Sequence, residues 1–425
     1  MSATLDLERQ DKKIDGVPAF FVLFKSCVGL GIFSYPYAYA KAGVAYGAIL
    51  SVFMCYITTY GMYRLTSISS EVENKTNGNI RIEDYHFLSY YVTEKAKGKK
   101  LAGTISTLAI IGTFLNNVSL IIASVIEIAV HIQPALGVNI YLVKSGIVVI
   151  YLAITAYAIE PEKLKIFGMM SGMVILFIMA SMSSDNIRLM LPENRTKPTE
   201  YQAFNFANTG IFLGMAGYAY EACGTIFTIR MTMKDRDKMP RLIVYVFAFI
   251  GTVFILFSLG FYFAYGPSDV KSIAFEFYEE HERPFFFYLG VVFCFCLVMF
   301  VPMYNISDSE LLIHFDVIGR NIKDKNGQIN RTKLLIFRWL LFIVSCMLGF
   351  ITDKIEIVMN LGGSVVIPII SFYLPVFLNA MHHKNQKKKM STTMKIHDGF
   401  IFLCGVAITI LGVQYSVNDA FKKSS

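Results

Sequence analysis

Residues Phe20–Gly43 read FFVLFKSCVGLGIFSYPYAYAKAG, the most informative segment of the chain. The segment is long enough to cross a bilayer, since a spanning helix needs about 20 mostly apolar residues. Lys25 interrupts the apolar run, and a charge in hydrocarbon is costly and therefore rare without a task. The glycines of Gly29-Leu30-Gly31 predict a break in this helix, and unwound backbone at membrane depth is tolerated where it lines a cavity. Together the charge and the break predict a transport site.

The composition predicts an all-α polytopic membrane protein. Of 425 residues, 55% are hydrophobic and only 16% are charged, and the mean hydropathy is +0.51. A β-barrel would show alternating segments of roughly ten residues, a pattern that this chain lacks. The seven cysteines lie in apolar segments and are interpreted as small buried side chains. Neither cysteines nor histidines have metal-binding spacing, and no nucleotide or hydrolase motif occurs, so we expect no enzyme activity, metal or cofactor.

Eleven membrane spans are predicted from the apolar runs, at residues 17–40, 44–66, 101–132, 140–158, 162–182, 204–229, 241–265, 285–313, 334–351, 355–380 and 397–416. They divide the chain into the following predicted units: a cytosolic tail 1–16, a first five-helix repeat 17–182, an outward loop 183–203, a second five-helix repeat 204–380, and an eleventh helix with a short outward tail, 397–425.

Lys and Arg residues in the loops predict the orientation, because cytosolic loops carry an excess of positive charge. With the N-terminus in the cytosol, the inward segments hold about three times as many Lys and Arg residues as the outward ones. We therefore attribute the net charge of +8 to anchoring at anionic lipid, and expect no nucleic-acid partner. The sequon at Asn194 falls in the outward loop and is the one best placed for glycosylation, although it can equally stay unmodified.

A second interrupted helix is predicted at the sixth span. Asn205–Arg230 reads NFANTGIFLGMAGYAYEACGTIFTIR, which contains four glycines and the intramembrane carboxylate Glu221. Many transporters consist of two inverted halves, each with one broken helix, and the two breaks meet near the midplane. A charged, glycine-interrupted helix at an interval of five spans fits that arrangement. Glycines also allow close helix packing, which is the structural alternative.

Three motifs resemble the amino acid/auxin permease family of the APC superfamily, closest to its proton-coupled amino-acid transporters. The first is KSCVGLG at 25–31 followed by YPYA at 35–38, the second is YAYEACG at 218–224, and the third is LGGS at 361–364. The resemblance extends over essentially the whole chain in helix order and orientation. It implies a LeuT-like fold of five plus five inverted helices with an eleventh appended, and secondary active transport of amino acids by alternating access.

The two breaks are expected to form the substrate site. Amide N–H groups at the first break would accept the substrate carboxylate, and carbonyl groups at the second would meet its ammonium group. The residues assigned to substrate binding are Gly29, Leu30, Gly31, Ile32, Gly214, Gly217, Tyr218 and Tyr220. Further pocket candidates on the third and eighth spans are Asn116, Asn117 and Tyr304, for which helix packing is the alternative. Pockets built from Gly and Ala suggest small neutral substrates.

Ion coupling is assigned to Lys25 and Glu221. In this fold, sodium lies between the first and eighth spans, and the apolar part of the eighth span, Pro284–Asn305, has no Ser or Thr hydroxyl to bind it. The resemblance implies that Lys25 replaces the sodium ion, so transport is proton-coupled or ion-independent. Glu221 is either a titrating group or a structural hydrogen-bonding group, and Glu127 is a weaker titrating candidate.

The main alternative function is a non-transporting amino-acid sensor or a subunit of a larger complex. A sensor would keep the same pocket, but the cytosolic tail and the first inner loop offer no clear signalling domain. A channel would be expected to show a repeated filter sequence, which is absent here. The expected partners are an amino acid, protons and the bilayer of the plasma membrane or of a vacuolar or lysosomal membrane, and the expected state is a monomer.

Overall fold

The computed structural model describes residues 16–157, 165–191, 193, 201–268, 270–278, 283–313, 316–323 and 329–421. Its helices are α1 Val17–Cys27, α2 Leu30–Ala42, α3 Val44–Lys75, α4 Tyr85–Lys97, α5 Lys99–Leu136, α6 Ile140–Tyr157, α7 Lys165–Met190, α8 Thr209–Ala219, α9 Cys223–Thr232, α10 Met239–Tyr265, α11 Pro284–Ile313, α12 Asp316–Ile322, α13 Arg331–Leu348, α14 Ile355–Asn385 and α15 Thr392–Phe421. The predicted all-α class is confirmed. The sequon at Asn194 lies outside the described residues.

Helices lie at all eleven predicted spans. Seven of the described helices are long and apolar enough to cross a membrane, and α1 with α2 forms an eighth span that is bent by 55°. The other three predicted spans coincide with the shorter apolar α6, with the pair α8 and α9, and with α13. The number of helices that cross the membrane, like the boundaries of the two repeats, stays a prediction.

The first inner loop is more helical than the sequence analysis expected. The second span was predicted to end at residue 66, but α3 continues to Lys75, because its polar residues sustain helix beyond the apolar run. A further helix, α4, begins after Asp84, whose carboxylate accepts the Phe87 N–H at 2.7 Å and so caps the helix.

The two broken spans pack against each other at the centre of the bundle. The outer halves, α2 and α8, are in contact, and α10 and α3 also pack against them. On the other side α5 packs along α11. Sequence-distant breaks are therefore placed side by side, and the third and eighth spans lie next to them.

Close packing of α8 on α14 explains two of the glycines in the sixth span. A Cβ added to Gly214 would lie 1.9 Å from Asn360 Oδ1, and one added to Gly217 would lie 2.7 Å from the Gly363 carbonyl oxygen. Gly363 in turn lies against the Gly214 carbonyl. Small residues let membrane helices approach this closely, so these positions hold the broken sixth span against the tenth.

An ion pair between Arg230 and Glu73 anchors the inner half of the sixth span. The Arg230 guanidinium is fully buried and donates to both carboxylate oxygens of Glu73, at 3.0 and 2.9 Å. Glu73 also accepts the Ile82 N–H at 2.8 Å. A bidentate pair of this kind has a fixed geometry, so α9 is held to the inner end of α3.

The second intramembrane lysine, Lys144, has a structural role. Its ammonium group donates to the carbonyl of Gly349 at 2.8 Å and to the carboxylate of Asp353 at 2.5 Å. It therefore satisfies carbonyl groups at the end of α13 and pairs with the following loop. Of Lys25 and Lys144, Lys25 is therefore left as the candidate for transport.

Candidate functional site

The first break presents free amide groups. Cys27 ends α1 and Leu30 begins α2; between them Val28 is extended and Gly29 has φ −136° and ψ −132°. Across the described ranges, the N–H groups of Gly29, Leu30 and Gly31 have no hydrogen-bond acceptor. The first N–H groups of a helix lack intrahelical partners and coincide with the positive end of the helix dipole. This break can therefore accept an anionic group such as a carboxylate.

The second break contains Glu221. The residue lies between the end of α8 and the start of α9, and its side chain is buried. Oε1 accepts the Gly224 N–H at 3.2 Å, and Oε2 accepts the Ser371 hydroxyl at 2.8 Å. The first bond satisfies an amide in the first turn of α9, and the second connects the break to α14. Glu221 thus braces the break, and it is also an ionisable group between two helix halves.

The two breaks touch through Gly31. A Cβ added there would lie 2.7 Å from Cα and 2.8 Å from Cβ of Ala219, the last residue of α8. At Gly29, by contrast, an added Cβ would have no atom within 4 Å. Gly31 therefore provides the close helix approach, whereas Gly29 borders open space.

That space is a small internal cavity of about 40 Å³. It is lined by parts of the first, third, sixth and eighth spans: Lys25, Ser26, Cys27, Gly29, Leu30, Gly31, Leu120, Ser124, Tyr218, Glu221, Leu297, Val301 and Tyr304. Ligand pockets are typically about 300–1,000 Å³, so this cavity is too small to hold an amino acid. A substrate can enter only when the surrounding helices move apart.

Lys25 borders the cavity from the last turn of α1. It is only 5% exposed, and its aliphatic stem packs on α7, where a Cβ added to Gly172 would lie 3.3 Å from the Lys25 Cβ. Leu297 and Val301 of α11 line the same cavity. The lysine is therefore at the junction of the first, fifth and eighth spans.

Tyr218 lines the cavity, and its hydroxyl can hydrogen-bond to a polar ligand. Its side chain is buried, and in the described part of the chain its hydroxyl has no hydrogen-bond partner. A buried hydroxyl left unpaired costs free energy, and a ligand in the cavity could supply the missing bond.

Several other predicted residues are buried elsewhere. Ile32 is buried in α2, Gly214 and Gly217 contact α14, and Tyr220 stacks on Phe254. Asn117 donates to Asp308, and the carbonyl of Asn116 accepts a hydrogen bond from the Ser119 hydroxyl at 2.7 Å. Glu127 is buried on α5. The cavity lining includes none of these residues.

Six lining residues were missed by the sequence analysis: Ser26, Cys27, Leu120, Ser124, Leu297 and Val301. A signal existed in the helical period. Leu297, Val301 and Tyr304 recur every three or four residues, as one face of a helix requires, so Tyr304 could have identified the other two. Ser124 follows Leu120 by four residues in the same way.

A family model described as transmembrane amino acid transporter protein matches residues 12–417. The chain belongs to this family. Among relatives, it is 21% identical over 412 residues to Amino acid transporter ANT1 of Arabidopsis thaliana, covering 92% of this chain and 90% of that protein. It is also 21% identical over 412 residues to Vacuolar amino acid transporter 3 of Saccharomyces cerevisiae, covering 94% of this chain and 56% of that protein. Family membership confirms the predicted multi-pass transporter class and the expectation that the chain is not an enzyme.

A solved structure with a similar fold is MhsT in complex with L-phenylalanine. It superposes with a TM-score of 0.59 at 12% identity, covering 95% of this chain and 99% of that chain. At this identity the likeness concerns the fold alone. The LeuT-like fold predicted for this family member is thereby confirmed.

Alanine substitutions at Gly29 and Gly31 should differ in their effects on stability. Gly31→Ala forces Cβ against the α8 backbone and should lower the melting temperature in detergent by several degrees, since overpacking costs about 1–3 kcal/mol. Gly29→Ala should leave the melting temperature unchanged, because its Cβ enters open space. It should nevertheless raise the KM for amino-acid uptake several-fold by narrowing the cavity. Equal melting temperatures for both variants would contradict the assigned packing, and an unchanged KM for Gly29→Ala would remove Gly29 from the substrate site.

Proposed function

We propose that this protein is a secondary active transporter that carries small neutral amino acids in symport with protons, independently of sodium. The observation that carries the proposal is the cavity between the two broken spans. Its lining contains an amide-rich helix start, a buried lysine and a buried carboxylate. Each of these groups has a distinct task in binding a zwitterion and coupling its movement to an ion.

The substrate carboxylate is placed at the first break. The N–H groups of Gly29, Leu30 and Gly31 and the dipole of α2 favour a negative charge there. The substrate ammonium group is placed toward the end of α8, where backbone carbonyls lose their helical partners. The Tyr218 hydroxyl then contacts the substrate from the sixth span.

The rest of the lining supports the proposed preference for small neutral side chains. Leu120, Leu297 and Val301 are apolar, and they surround a volume of about 40 Å³ in the closed structure. A charged substrate side chain would be desolvated against these residues without a partner, at a cost of several kcal/mol.

The residues of α11 that face Lys25 support the proposed independence from sodium. A hard cation such as sodium needs oxygen ligands, and the residues of α11 at the cavity are Leu297, Val301 and Tyr304. Of these, only Tyr304 carries a side-chain oxygen. The Lys25 ammonium group supplies a fixed positive charge in this position instead.

Proton coupling is assigned to Glu221. The carboxylate is buried at the break, and its two hydrogen bonds join the inner half of the sixth span to the tenth. Uptake of a proton would change the charge at the point where the two helix halves meet, which is where alternating access requires movement. Since one chain contains both broken spans, we propose that it acts as a monomer.

Purified protein in sodium-free proteoliposomes tests this function. With the outside at pH 5.5 and the lumen at pH 7.5, labelled alanine should accumulate at least tenfold above the level reached without a pH gradient. Replacing external choline with sodium should change nothing. Saturable binding of alanine without any flux would indicate the sensor function instead, and accumulation that follows a sodium gradient would overturn the proposed coupling.

A further inference from the structure

Asp308 is a buried carboxylate that does not line the substrate site. It lies on α11 and is fully buried. Oδ1 accepts a hydrogen bond from the Asn117 amide at 2.8 Å. Oδ2 is buried too and has no partner among the residues that the structure describes. A buried carboxylate with one unsatisfied oxygen costs free energy, and an additional ligand at Oδ2 would lower that cost.

Asp308 continues the cavity-facing surface of α11 toward the inner side. Leu297, Val301 and Tyr304 line the cavity at intervals of four and three residues, and Asp308 follows at the next interval of four. Positions spaced in this way lie on one helix face, so Asp308 is about one turn, roughly 5–6 Å, inward of Tyr304. Its partner Asn117 precedes the lining residue Leu120 on α5 by three residues. The pair of Asn117 and Asp308 therefore lies beneath the cavity.

The broken sixth span connects this pair with Glu221. A Cβ added to Gly224, in the first turn of α9, would lie 3.8 Å from Asn117 Oδ1 and 3.9 Å from Asn116 Nδ2. The Gly224 N–H donates to the Glu221 carboxylate. The start of α9 thus has Glu221 on one side and the Asn117–Asp308 pair on the other.

A second unsatisfied oxygen lies on the same helix, three residues before Asp308. Asn305 donates from Nδ2 to the Arg338 carbonyl at 3.0 Å, which fixes its amide orientation and leaves Oδ1 as an acceptor. That Oδ1 is buried and, within the described ranges, has no donor. Residues three apart are neighbours on a helix surface. A proton on Asp308 would turn Oδ2 into a donor and remove the buried charge.

The charges around Asp308 set the conditions for such a proton. Arg338 is directed elsewhere, because its Nε donates to Ser309 at 2.8 Å and its Nη2 is 3.7 Å from Glu310. The other titratable groups around the cavity are Lys25, Cys27, Tyr218, Glu221, Cys223 and Tyr304. On the helices and turns packed against α11, the other described charged side chains lie at outer ends or on the exposed inner surface: Lys99, Lys100, Glu127, Lys144, Asp185, Arg188, Glu276, Lys323, Arg331 and Lys333. The His131 ring contacts α11 at the Phe287 carbonyl, in the first turn of that helix.

We propose that Asp308 is the inner proton acceptor of the transport cycle, which takes the coupled proton beneath the cavity and releases it toward the cytosol. The proposal rests on the proton-coupled function above and adds a second carboxylate to it. The proton binds Oδ2 while Oδ1 keeps its bond to Asn117, and it leaves to water when the inner helix halves separate. As the O–H bond at Oδ2 forms, the proton's bond to its donor breaks, and on release the O–H bond breaks as the proton binds a water molecule.

Asp308→Asn tests the proposal, since asparagine has the same shape and can still accept from Asn117 but cannot ionise. In sodium-free proteoliposomes, the pH-driven accumulation of alanine should be at least tenfold lower for the variant than for the unmodified protein. Exchange of internal for external alanine needs no net proton movement and should stay within about threefold of the unmodified protein. The matched control is Glu310→Gln, which removes an exposed carboxylate two residues away and should leave pH-driven accumulation intact.

Retention of full pH-driven accumulation by Asp308→Asn would overturn the proposal. So would an equal loss of accumulation and exchange by a monodisperse protein, or a changed dependence on sodium or potassium, which would indicate a metal cation at Oδ2. Should this variant fail to fold, Asp308→Glu keeps the carboxyl group and should shift the pH profile of accumulation; an unshifted profile would overturn the proposal. If Glu221→Gln abolishes coupling and Asp308→Asn does not, only this inference fails. If neither does, proton coupling through these carboxylates fails as well.

Discussion

Lys25→Met is expected to lower amino-acid uptake at least tenfold while leaving the protein as stable as before, or more stable. Methionine preserves the aliphatic stem that packs on Gly172 but removes the fixed cation from the junction of the first, fifth and eighth spans. A lysine at the centre of a membrane helix costs roughly 2.5–3.5 kcal/mol on insertion scales, so its loss should not unfold the bundle. Initial uptake rates in proteoliposomes and melting temperatures in detergent separate the two effects.

Two comparisons make this result specific to the site. Lys41→Met removes the lysine in the last turn of α2, which lies over the Tyr37 ring away from the cavity, and should leave uptake nearly unchanged. Sodium should not restore uptake to Lys25→Met, because Leu297 and Val301 provide no oxygen ligand. Normal uptake by Lys25→Met would remove Lys25 from the mechanism, and recovery in sodium would show that other groups can bind the ion.

Glu221→Gln should abolish the response of transport to pH. Glutamine can still accept the Gly224 N–H and hydrogen-bond to the Ser371 hydroxyl, so the break stays braced, but it cannot take up or release a proton. With an acidic exterior, accumulation of alanine should fall about tenfold, to the level reached without a pH gradient. Exchange of alanine between the two sides should persist. Accumulation measured from external pH 5 to 8 should become flat for the variant and decline with rising pH for the unmodified protein.

Ser371→Ala distinguishes a titrating Glu221 from a merely structural one. It removes one hydrogen bond of the carboxylate and leaves the carboxylate itself in place. If Glu221 titrates, this variant should still respond to pH, with a profile moved along the pH axis. If Glu221 only braces the break, Ser371→Ala and Glu221→Gln should both slow transport and both keep the normal pH profile.

The architecture could be predicted because its signals are local. Apolar runs, loop charges and the Gly29-Leu30-Gly31 sequence each report on a short segment, and helices lie at every predicted span, including the broken first one. The interval of five spans between the helices of Lys25 and Glu221 predicted a shared site, and in the structure both residues border one cavity. Such patterns survive because every spanning segment must satisfy its own backbone within the bilayer.

The details of the site depended on contacts between distant segments. In the sequence, Gly214 and Gly217 look like parts of a flexible break, yet in the structure they pack on α14. This contact was not predictable, because the facing residues Asn360 and Gly363 are about 150 positions away in the sequence. The hydrogen bond from Ser371 to Glu221 likewise joins residues that are 150 positions apart in the sequence. Asp308, by contrast, could have been identified from the sequence, because a carboxylate within a spanning helix is rare. It was missed because only the hydroxyl groups of the eighth span were considered as ion ligands.

Direct recording of proton entry tests the central claim, which is that amino acids and protons move together without sodium. Proteoliposomes in sodium-free buffer at equal pH on both sides, with a pH-sensitive dye in the lumen, are given external alanine. The lumen should acidify as alanine enters, and Glu221→Gln should abolish the acidification. Entry of labelled alanine without acidification, or acidification that begins only when sodium is added, would contradict the account.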